Sequence, residues 1–211
     1  KNKFIVFEGN EGTGKSTHIK FASNYLTEKK IEHIVTREPG GTSSAELIRN
    51  LILKDYFKKK KKDKFDKYTD TLLYLASRNE HIKNKIKPAL KQKKIVICDR
   101  FIDSTIAYQV YGKNVKKSFI DNIHKYILGG IKPNLVFVLK VQANSSKKRL
   151  KARKIKNRYD NFPQSFYSNA QKSFLKIAKN KKNYFVMDSS KNNKELEKKI
   201  FKIVCKFLNI K

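Results

Sequence analysis

Apolar runs alternate with helix-like periodic segments along the whole chain. Five short apolar runs predict buried β-strands, at residues 4–7, 34–36, 95–98, 135–139 and 184–187. Between them, apolar residues recur every three or four positions, as on the inward face of a helix. Strands that alternate with helices predict an α/β fold, with a mainly parallel sheet covered by helices on both faces. No repeat or linker interrupts the pattern, so residues 1–211 are predicted to form one domain.

Capping and breaking residues predict where several helices begin and end. Ser43, followed three residues later by Glu46, is a capping box. The helix that it opens is predicted to turn four residues inward: Leu47, Ile48, Leu51 and Ile52. A helix over about residues 67–86 is expected to end near Pro88, because the residue before a proline disfavours helical geometry. Two helices follow over about 103–127, and the last helix carries one apolar stripe: Leu196, Ile200, Ile203, Val204 and Phe207.

The chain carries 50 basic and 18 acidic residues, a formal net charge of +32. A charge of this size suggests a nucleic acid or an anionic membrane as partner. However, Lys is spread along the whole chain, and Lys, Asn, Ile, Phe and Tyr all have A/T-rich codons. Composition bias, with a field that attracts an anionic substrate, is the favoured interpretation, and a polyanion-binding role stays the alternative. The run Lys58–Lys62 is interpreted as a solvated loop rather than a functional patch.

Cysteine positions and hydropathy bear on the compartment. Cys98 falls on a predicted buried strand and Cys205 on an apolar stripe, so both are predicted to be unreactive packing thiols. No apolar run approaches the roughly 18 residues of a membrane span. The first residues lead straight into a strand, with no secretory signal before it. A reduced, cytoplasmic protein without a membrane partner is therefore expected.

The strongest chemical signal is the segment Gly9–Ser16, which fits the phosphate-loop pattern of Gly, four residues, and Gly-Lys-Ser/Thr. It stands between a predicted strand and a predicted helix, as that pattern requires. Amides of such a loop point at phosphate oxygens, while Lys15 bridges the β- and γ-phosphates and Ser16 ligates Mg²⁺. A nucleoside triphosphate with Mg²⁺ is therefore predicted to bind at Gly9, Asn10, Glu11, Gly12, Thr13, Gly14, Lys15, Ser16 and Thr17.

The end of the third predicted strand distinguishes among phosphate-loop proteins. No Asn-Lys-x-Asp tetrapeptide occurs, which argues against a GTPase, and the strand ends in Asp99-Arg100 rather than the Asp-Glu of nucleic-acid motors. Asp99 is predicted to face the metal and Arg100 to grip an anion in transfer, which suits a kinase of a small phosphorylated acceptor. Seven of the 50 basic residues are Arg, so an Arg marks a place that needs a planar, bidentate donor.

Three segments together resemble the thymidylate kinase family: the loop at Gly9, the string Thr36–Thr42 and the string Asp99–Gln109. The likeness extends over the whole chain, including Leu72–His81. It implies a five-stranded parallel sheet wrapped by helices, paired as a homodimer. It also implies transfer of the γ-phosphoryl group of ATP to thymidine monophosphate, for dTTP synthesis. The alternatives are another nucleoside-monophosphate or deoxynucleoside kinase, or a basic phosphate-loop ATPase that binds nucleic acid.

The resemblance assigns acceptor-site roles position by position. It places Tyr74 where the family stacks an aromatic ring on thymine, and Tyr108 against the sugar 2′ position with Gln109 beside it. Arg100 would hold the acceptor phosphate, and Arg78 the base edge or that phosphate. The other assigned positions lie near the sugar 3′-hydroxyl and metal, at the polar edge of the base, and along the pocket wall: Glu11, Ser104 with Thr105, and Glu38 with Arg49.

The basic segment from Arg149 to Arg158 resembles the family's mobile lid, placed at about residues 149–162. Helical spacing puts Arg149 and Arg153 on one face, where both can close on the triphosphate. Because residue 12 is Gly, where one branch of the family has Arg, Arg153 is expected to supply the transition-state cation. The four His residues gain no catalytic role, since transfer to an ionised phosphate needs no strong base.

Overall fold

A parallel five-stranded sheet forms the centre of the computed structural model, which describes residues 3–54, 56, 64–151, 158–190 and 193–210. The strand order is β2-β3-β1-β4-β5, and every neighbouring pair is parallel. The strands are β1 Phe4–Gly9, β2 His33–Arg37, β3 Ile95–Asp99, β4 Leu135–Lys140 and β5 Tyr184–Asp188. The α/β fold and all five predicted strands are confirmed, each strand being one or two residues longer than its apolar run.

Alternate residues of the strands face two separate hydrophobic cores. On one face, Ile5, Phe7 and Ile97 pack with α1 (Lys15–Glu28) and α9 (Asn193–Leu208). The predicted stripe of the last helix is confirmed, with Leu196, Ile200 and Val204 buried and Ile203 and Phe207 packed beside them. On the other face, Phe4, Val6 and Val96 pack against residues of the helices that follow β2, β3 and β4. Both faces are covered, which explains the continuous apolar runs of the strands.

Helix α2 (Ser43–Leu53) departs from its prediction in two ways. Its N-cap is Thr42, whose hydroxyl accepts from the amide of Ala45, while Glu46 accepts from the amide of Gly41. The predicted Ser43–Glu46 capping box is therefore wrong: the N-cap lies one residue earlier, and Glu46 accepts from Gly41 rather than from Ser43. The inward turn of Leu47 and Leu51 is wrong, because these side chains are 70% and 44% exposed. The buried residues of α2 are Ala45 and Ile52, which lie on one side of the helix.

The helix predicted over 67–86 continues past its expected end. Helix α3 (Lys67–His81) runs through a wide π-helical turn, Ile82–Ile86, into α4 (Lys87–Lys91). Pro88 lies in the first turn of α4, where a missing amide hydrogen removes little. The expectation that the helix stops near Pro88 is therefore wrong.

The second half of the chain supplies the remaining helices. After β3 come α5 (Ile102–Thr105), a π-helical segment Ile106–Gly112 and α6 (Lys117–Ile127), as the two-helix prediction for this stretch requires. After β4 come α7 (Ala143–Lys151), a short 3₁₀ turn Arg158–Asn161 and α8 (Gln164–Ala178). Helix α8 corresponds to no predicted element. Both Arg153 and the run Lys58–Lys62 lie outside the described residues.

Two further expectations concern thiols and membranes. Cys98 is buried and Cys205 partly buried, and both are free thiols in the described part of the chain. Burial raises the pKa of the Cys98 thiol well above its usual range, which suits a packing role. Within the described ranges, no helix combines the length and the apolar character that crossing a bilayer demands.

Candidate active site

The loop between β1 and α1 is built for close approach of an anion. Gly14 caps α1 in the left-handed region with φ of 83°, so the first amides of the helix point toward the loop. A side chain at Gly9 would place its Cβ 2.3 Å from the carbonyl oxygen of Leu139, at a φ of 134°. Only glycine fits there. Free amides and the helix dipole together make this loop an anion site.

Lys15 lies folded against the same loop. Its ammonium group donates to the carbonyl oxygens of Gly9 at 3.1 Å and Asn10 at 2.9 Å. Burial, with the nearby Arg100 guanidinium, lowers the pKa of Lys15 to about 8. The side chain is therefore mostly charged at neutral pH and lies beside the loop amides, as a phosphate-binding lysine must.

Arg100 lies where the carboxyl ends of the central strands meet. It follows β3 with φ of 70°, and its amide donates to the carbonyl of Phe7 at 2.9 Å. One terminal nitrogen donates to the carbonyl oxygen of Gly9 at 2.8 Å, and the other pairs with the Glu11 carboxylate at 2.8 Å. The first also reaches the hydroxyls of Ser104 and Tyr108. The planar guanidinium thus joins the phosphate loop to the helix after β3.

Asp99 and Ser16 offer oxygen atoms for a cation beside the loop. One Asp99 carboxylate oxygen, Oδ1, is buried without a hydrogen-bond partner among the described residues. Both residues line the same cavity. Mg²⁺ prefers hard oxygen ligands and keeps several waters or phosphate oxygens, so two protein oxygens fit such an ion. No group of three or more His, Cys, Asp or Glu capable of holding a metal occurs in the described ranges.

Arg149 and Arg158 point to different parts of the molecule. Arg149, on α7, donates to the carbonyl oxygens of Gly12 at 3.1 Å and Ser189 at 2.8 Å. It therefore lies on the phosphate loop, as the sequence predicted. Arg158 instead pairs with Asp70 on α3. Two arginines of the predicted lid segment, Arg149 and Arg158, are thus separated in space.

Glu38 and Arg78 form a buried ion pair at the other end of the site. The Arg78 guanidinium donates to Glu38 at 2.7 Å, to the carbonyl oxygen of Phe101 and to the imidazole of His124 at 2.9 Å. Burial alone would raise the pKa of Glu38, but Arg78 and His81 hold it below its ordinary value. Burial and the Arg78 charge lower the pKa of His124 to about 4, so its neutral ring accepts from Arg78.

A cavity of about 570 Å³ connects the phosphate-loop and Glu38 ends of the site. Most of the predicted site residues line it: Glu11, Gly12, Gly14, Lys15, Ser16, Thr17, Glu38, Arg49, Tyr74, Arg78, Asp99, Arg100, Ser104, Thr105, Tyr108, Gln109 and Arg149. The predicted loop residues Gly9, Asn10 and Thr13 are buried and are not among the residues that line the cavity. The side-chain amide nitrogen of Gln109, Nε2, is buried with no hydrogen-bond partner in the described part of the chain. Arg153 lies outside the described residues.

Comparison with known proteins identifies the family. Residues 7–200 match the family model described as thymidylate kinase. The chain belongs to the thymidylate kinase family. It is 42% identical over 196 residues to a thymidylate kinase of Aster yellows witches'-broom phytoplasma, covering 90% of each chain. It is 39% identical over 209 residues to one of Wolbachia pipientis, covering 96% of each.

A solved structure agrees with this assignment. The thymidylate kinase of Ehrlichia chaffeensis superposes with a TM-score of 0.74 at 33% identity, covering 96% of this chain and 98% of that one. The resemblance that the phosphate loop and the Asp99–Gln109 string indicated is therefore confirmed. The five-stranded fold of phosphate-loop kinases is confirmed with it.

Two site residues of this thymidylate kinase family member escaped the sequence analysis. Glu8, inside β1, accepts from the amides of Phe101 and Ser104 and from the Ser104 hydroxyl at 2.6 Å. Its acidic side chain within an apolar strand was a signal that could have revealed it. Tyr159, which follows Arg158, lines the cavity and is buried. Nothing local in the sequence points Tyr159 toward Tyr74, which lies 85 residues earlier.

Proposed function

We propose that this chain transfers the γ-phosphoryl group of ATP to thymidine monophosphate, giving thymidine diphosphate and ADP. The observation that carries the proposal is Arg100, held between Gly9 of the phosphate loop and the aromatic residue Tyr108 in one cavity. A guanidinium in that position can hold an acceptor phosphate in line with a triphosphate on the loop. Family membership supports the same reaction.

The donor triphosphate would lie on the loop before α1. Its phosphate oxygens would replace the carbonyl oxygens of Gly9 and Asn10 as partners of the Lys15 ammonium group. Arg149, already against the loop at Gly12, would add a second positive charge. Ser16 and Asp99 would hold Mg²⁺, which neutralises charge on the transferred phosphoryl group when bound. The role of Arg153 as transition-state cation stays a prediction.

The acceptor would occupy the end of the cavity that Tyr74 and Tyr108 line. Tyr74 would stack on the base, and Tyr108 would fill the space at the sugar 2′ position. Arg100 would exchange its contacts with Glu11 and Ser104 for the acceptor phosphate. The Gln109 amide, lacking a partner among the described residues, would donate to the base edge. An ionised acceptor phosphate needs no strong base, so catalysis would rest on positioning and charge.

Exposed apolar side chains and free thiols support proposals for the quaternary structure and the compartment. We propose a homodimer in which α2 and α3 of two subunits meet, because Leu47, Leu51 and Leu72 are exposed on these packed helices. Free thiols suit the reducing cytoplasm, where we place the protein. The single domain over residues 1–211 also stays a prediction.

The decisive experiment is an acceptor panel. ATP consumption is measured with thymidine, uridine, cytidine and guanosine acceptors, each with and without a 5′-phosphate and as deoxyribose and ribose forms. We expect deoxythymidine monophosphate to give the highest kcat/KM. Lys15→Met serves as the inactive control, because it removes the loop ammonium group. Equal turnover of unphosphorylated thymidine would replace this proposal with a nucleoside kinase.

The rival class, a nucleic-acid-dependent ATPase, rests on the +32 charge. It is tested by filter binding of duplex DNA at two salt concentrations, with ATP hydrolysis followed in parallel. We expect weak binding that falls steeply with salt, as non-specific phosphate contacts do. Tight binding at physiological salt, coupled to ATP hydrolysis, would favour the rival.

A further inference from the structure

A buried carboxylate outside the assigned site lies beside the acceptor end of the cavity. Asp70, on α3, is 2% exposed and pairs with two cations, Lys113 at 2.5 Å and Arg158. The Lys113 and Arg158 side chains are 17% and 19% exposed. These two ion pairs join three elements: α3, the segment after the Ile106–Gly112 turn and the 3₁₀ turn at Arg158. Asp70 itself does not line the cavity.

Both cations that Asp70 holds lie against one aromatic ring. The Lys113 ammonium nitrogen and the Arg158 guanidinium carbon are each 5.3 Å from the centre of the Tyr159 ring. Lys113 also donates to the Tyr159 hydroxyl at 3.4 Å. Cations at this distance from a ring face attract its π-electrons and restrict the ring. Asp70 therefore holds both cations that contact Tyr159, a ring that also packs against Tyr108, Phe162 and Phe166.

Tyr159 in turn contacts the residue assigned to the acceptor base. The Tyr74 hydroxyl donates to the Tyr159 hydroxyl at 2.6 Å, and both residues line the cavity. Asp70 and Tyr74 are four residues apart on α3, so they lie on one face of the helix. A closed chain of contacts thus runs from Asp70 through the cations to Tyr159 and back to Tyr74.

We propose that Asp70 is a positioning residue of the acceptor pocket. It acts through Lys113, Arg158 and Tyr159 on the ring of Tyr74, and it touches neither substrate. The inference rests on the proposed function, because Tyr74 would stack on the base of the acceptor nucleotide. Because Lys113 and Arg158 are two parallel links between Asp70 and Tyr159, the loss of Asp70 releases both cations, whereas the loss of one cation leaves the other on the ring. The chemistry at Arg100 and the donor site at Lys15 are left in place.

The test is a double-mutant cycle of Asp70→Asn and Tyr74→Phe. Asp70→Asn keeps the shape of the side chain and removes its charge, and Tyr74→Phe removes one hydroxyl. We expect the KM for thymidine monophosphate to rise about tenfold in Asp70→Asn and about threefold in Tyr74→Phe, as lost charged and neutral hydrogen bonds do. The kcat and the KM for ATP should stay within about twofold of the parent values, since the substitutions change neither Arg100 nor the donor site at Lys15. The double variant should be no worse than Asp70→Asn alone.

Two matched surface variants control for the chemistry of the substitutions. Asp121→Asn removes the exposed partner of Lys117, and Tyr126→Phe changes a tyrosine that is 87% exposed. Both should leave every kinetic constant unchanged. If Asp70→Asn fails to fold by circular dichroism, Lys113→Gln replaces it in the same cycle. It breaks one of the two links to Tyr159 and leaves Arg158 on Asp70, so a smaller rise of the KM for thymidine monophosphate is expected.

Three results would overturn the proposal. The first is an unchanged KM for thymidine monophosphate in Asp70→Asn. The second is a double variant whose effects on that KM are fully additive. The third is a fall of kcat alongside the change in KM, which indicates general damage. The acceptor preference of the parent protein distinguishes a failure of this proposal from a failure of the proposed function. A parent that does not prefer thymidine monophosphate rejects the function, whereas a normal parent with unaffected variants rejects only the role of Asp70.

Discussion

Arg100 is the residue at which planar geometry matters most. From one rigid fork, one terminal nitrogen donates to the carbonyl oxygen of Gly9 and the other to the carboxylate of Glu11. A lysine would keep the positive charge but would offer a single ammonium group without that fork.

We therefore expect Arg100→Lys to lose about tenfold to thousandfold in kcat/KM for thymidine monophosphate, at about 1.4 kcal/mol per decade. Steady-state kinetics at saturating ATP measures the loss. Arg37→Lys is the comparison, because the Arg37 side chain, although it lines the cavity, is 54% exposed and pairs with Glu46 rather than with the phosphate loop. Near-parental kinetics in Arg100→Lys would show that a point charge is sufficient there.

Glu8 links the protonation state of the site to stability. Burial, with the nearby Asp103 carboxylate, raises the pKa of Glu8 from 4.5 to about 7. The folded protein therefore keeps a proton that the unfolded chain releases as pH rises above 4.5. The free energy of unfolding should fall between about pH 4.5 and 7 from this group, and be flat on either side.

Glu8→Gln, which cannot ionise, should remove that part of the pH dependence. We expect the stability of the parent relative to the variant to decrease by about 1–3 kcal/mol from pH 5 to pH 7.5. Urea unfolding at both pH values measures the difference, and the depressed pKa of Glu38 cancels because both proteins contain it. Identical pH slopes would contradict a raised pKa for Glu8.

Among the elements, α7 and the 3₁₀ turn at Arg158 direct two arginines of the basic segment to different parts of the molecule. Arg149 of α7 contacts the phosphate loop at Gly12, whereas Arg158 of the turn is held by Asp70 near Tyr74. Of these two arginines, nine positions apart in the sequence, Arg149 lines the cavity, whereas Arg158 contacts Asp70 and Tyr159 without lining it.

Alanine variants of the three arginines should separate these roles. Arg149→Ala should lower kcat about tenfold or more, as the loss of a cation beside a transferred phosphoryl group does. Arg158→Ala should instead raise the KM for thymidine monophosphate. Arg153→Ala, outside the described residues, is predicted to lower kcat. If all three keep kcat within a few-fold of the parent, no arginine of this segment supplies the transition-state charge.

At the scale of the whole molecule, packing within a single chain does not explain why α2 exposes one apolar side. Leu47 is 70% exposed and Leu51 44%, and Leu72 of the neighbouring α3 is also exposed. Apolar side chains grouped in this way favour association of subunits. The proposed homodimer would give them a partner.

A charge placed within this patch should separate the subunits. We expect Leu47→Asp to convert a dimer into a monomer in sedimentation velocity, because a buried unpaired carboxylate is costly. Asn24→Asp on α1 adds the same charge at an exposed position elsewhere and should leave the dimer intact. A parent protein that sediments as a monomer would contradict the dimer directly.

The sequence by itself determined the strands, the phosphate loop, Asp99-Arg100 and the family. These features are local: an apolar run of a strand, a glycine spacing and a pair of charges at a strand end are all readable within a few residues. Parallel strands then bring their carboxyl ends to one edge. This is why Lys15 and Arg100, 85 positions apart, could be placed in one site before the structure was known.

Only the tertiary structure decided which side of α2 faces inward, that the helix passes Pro88, and what Glu8 and Tyr159 contact. Leu47 and Ile52 have the same local character, and only the packing of α2 on α3 distinguishes them. Glu8 is held by Ser104 and Tyr159 by Tyr74, partners 96 and 85 positions away. Such contacts depend on how distant elements pack, and no local period or motif encodes them.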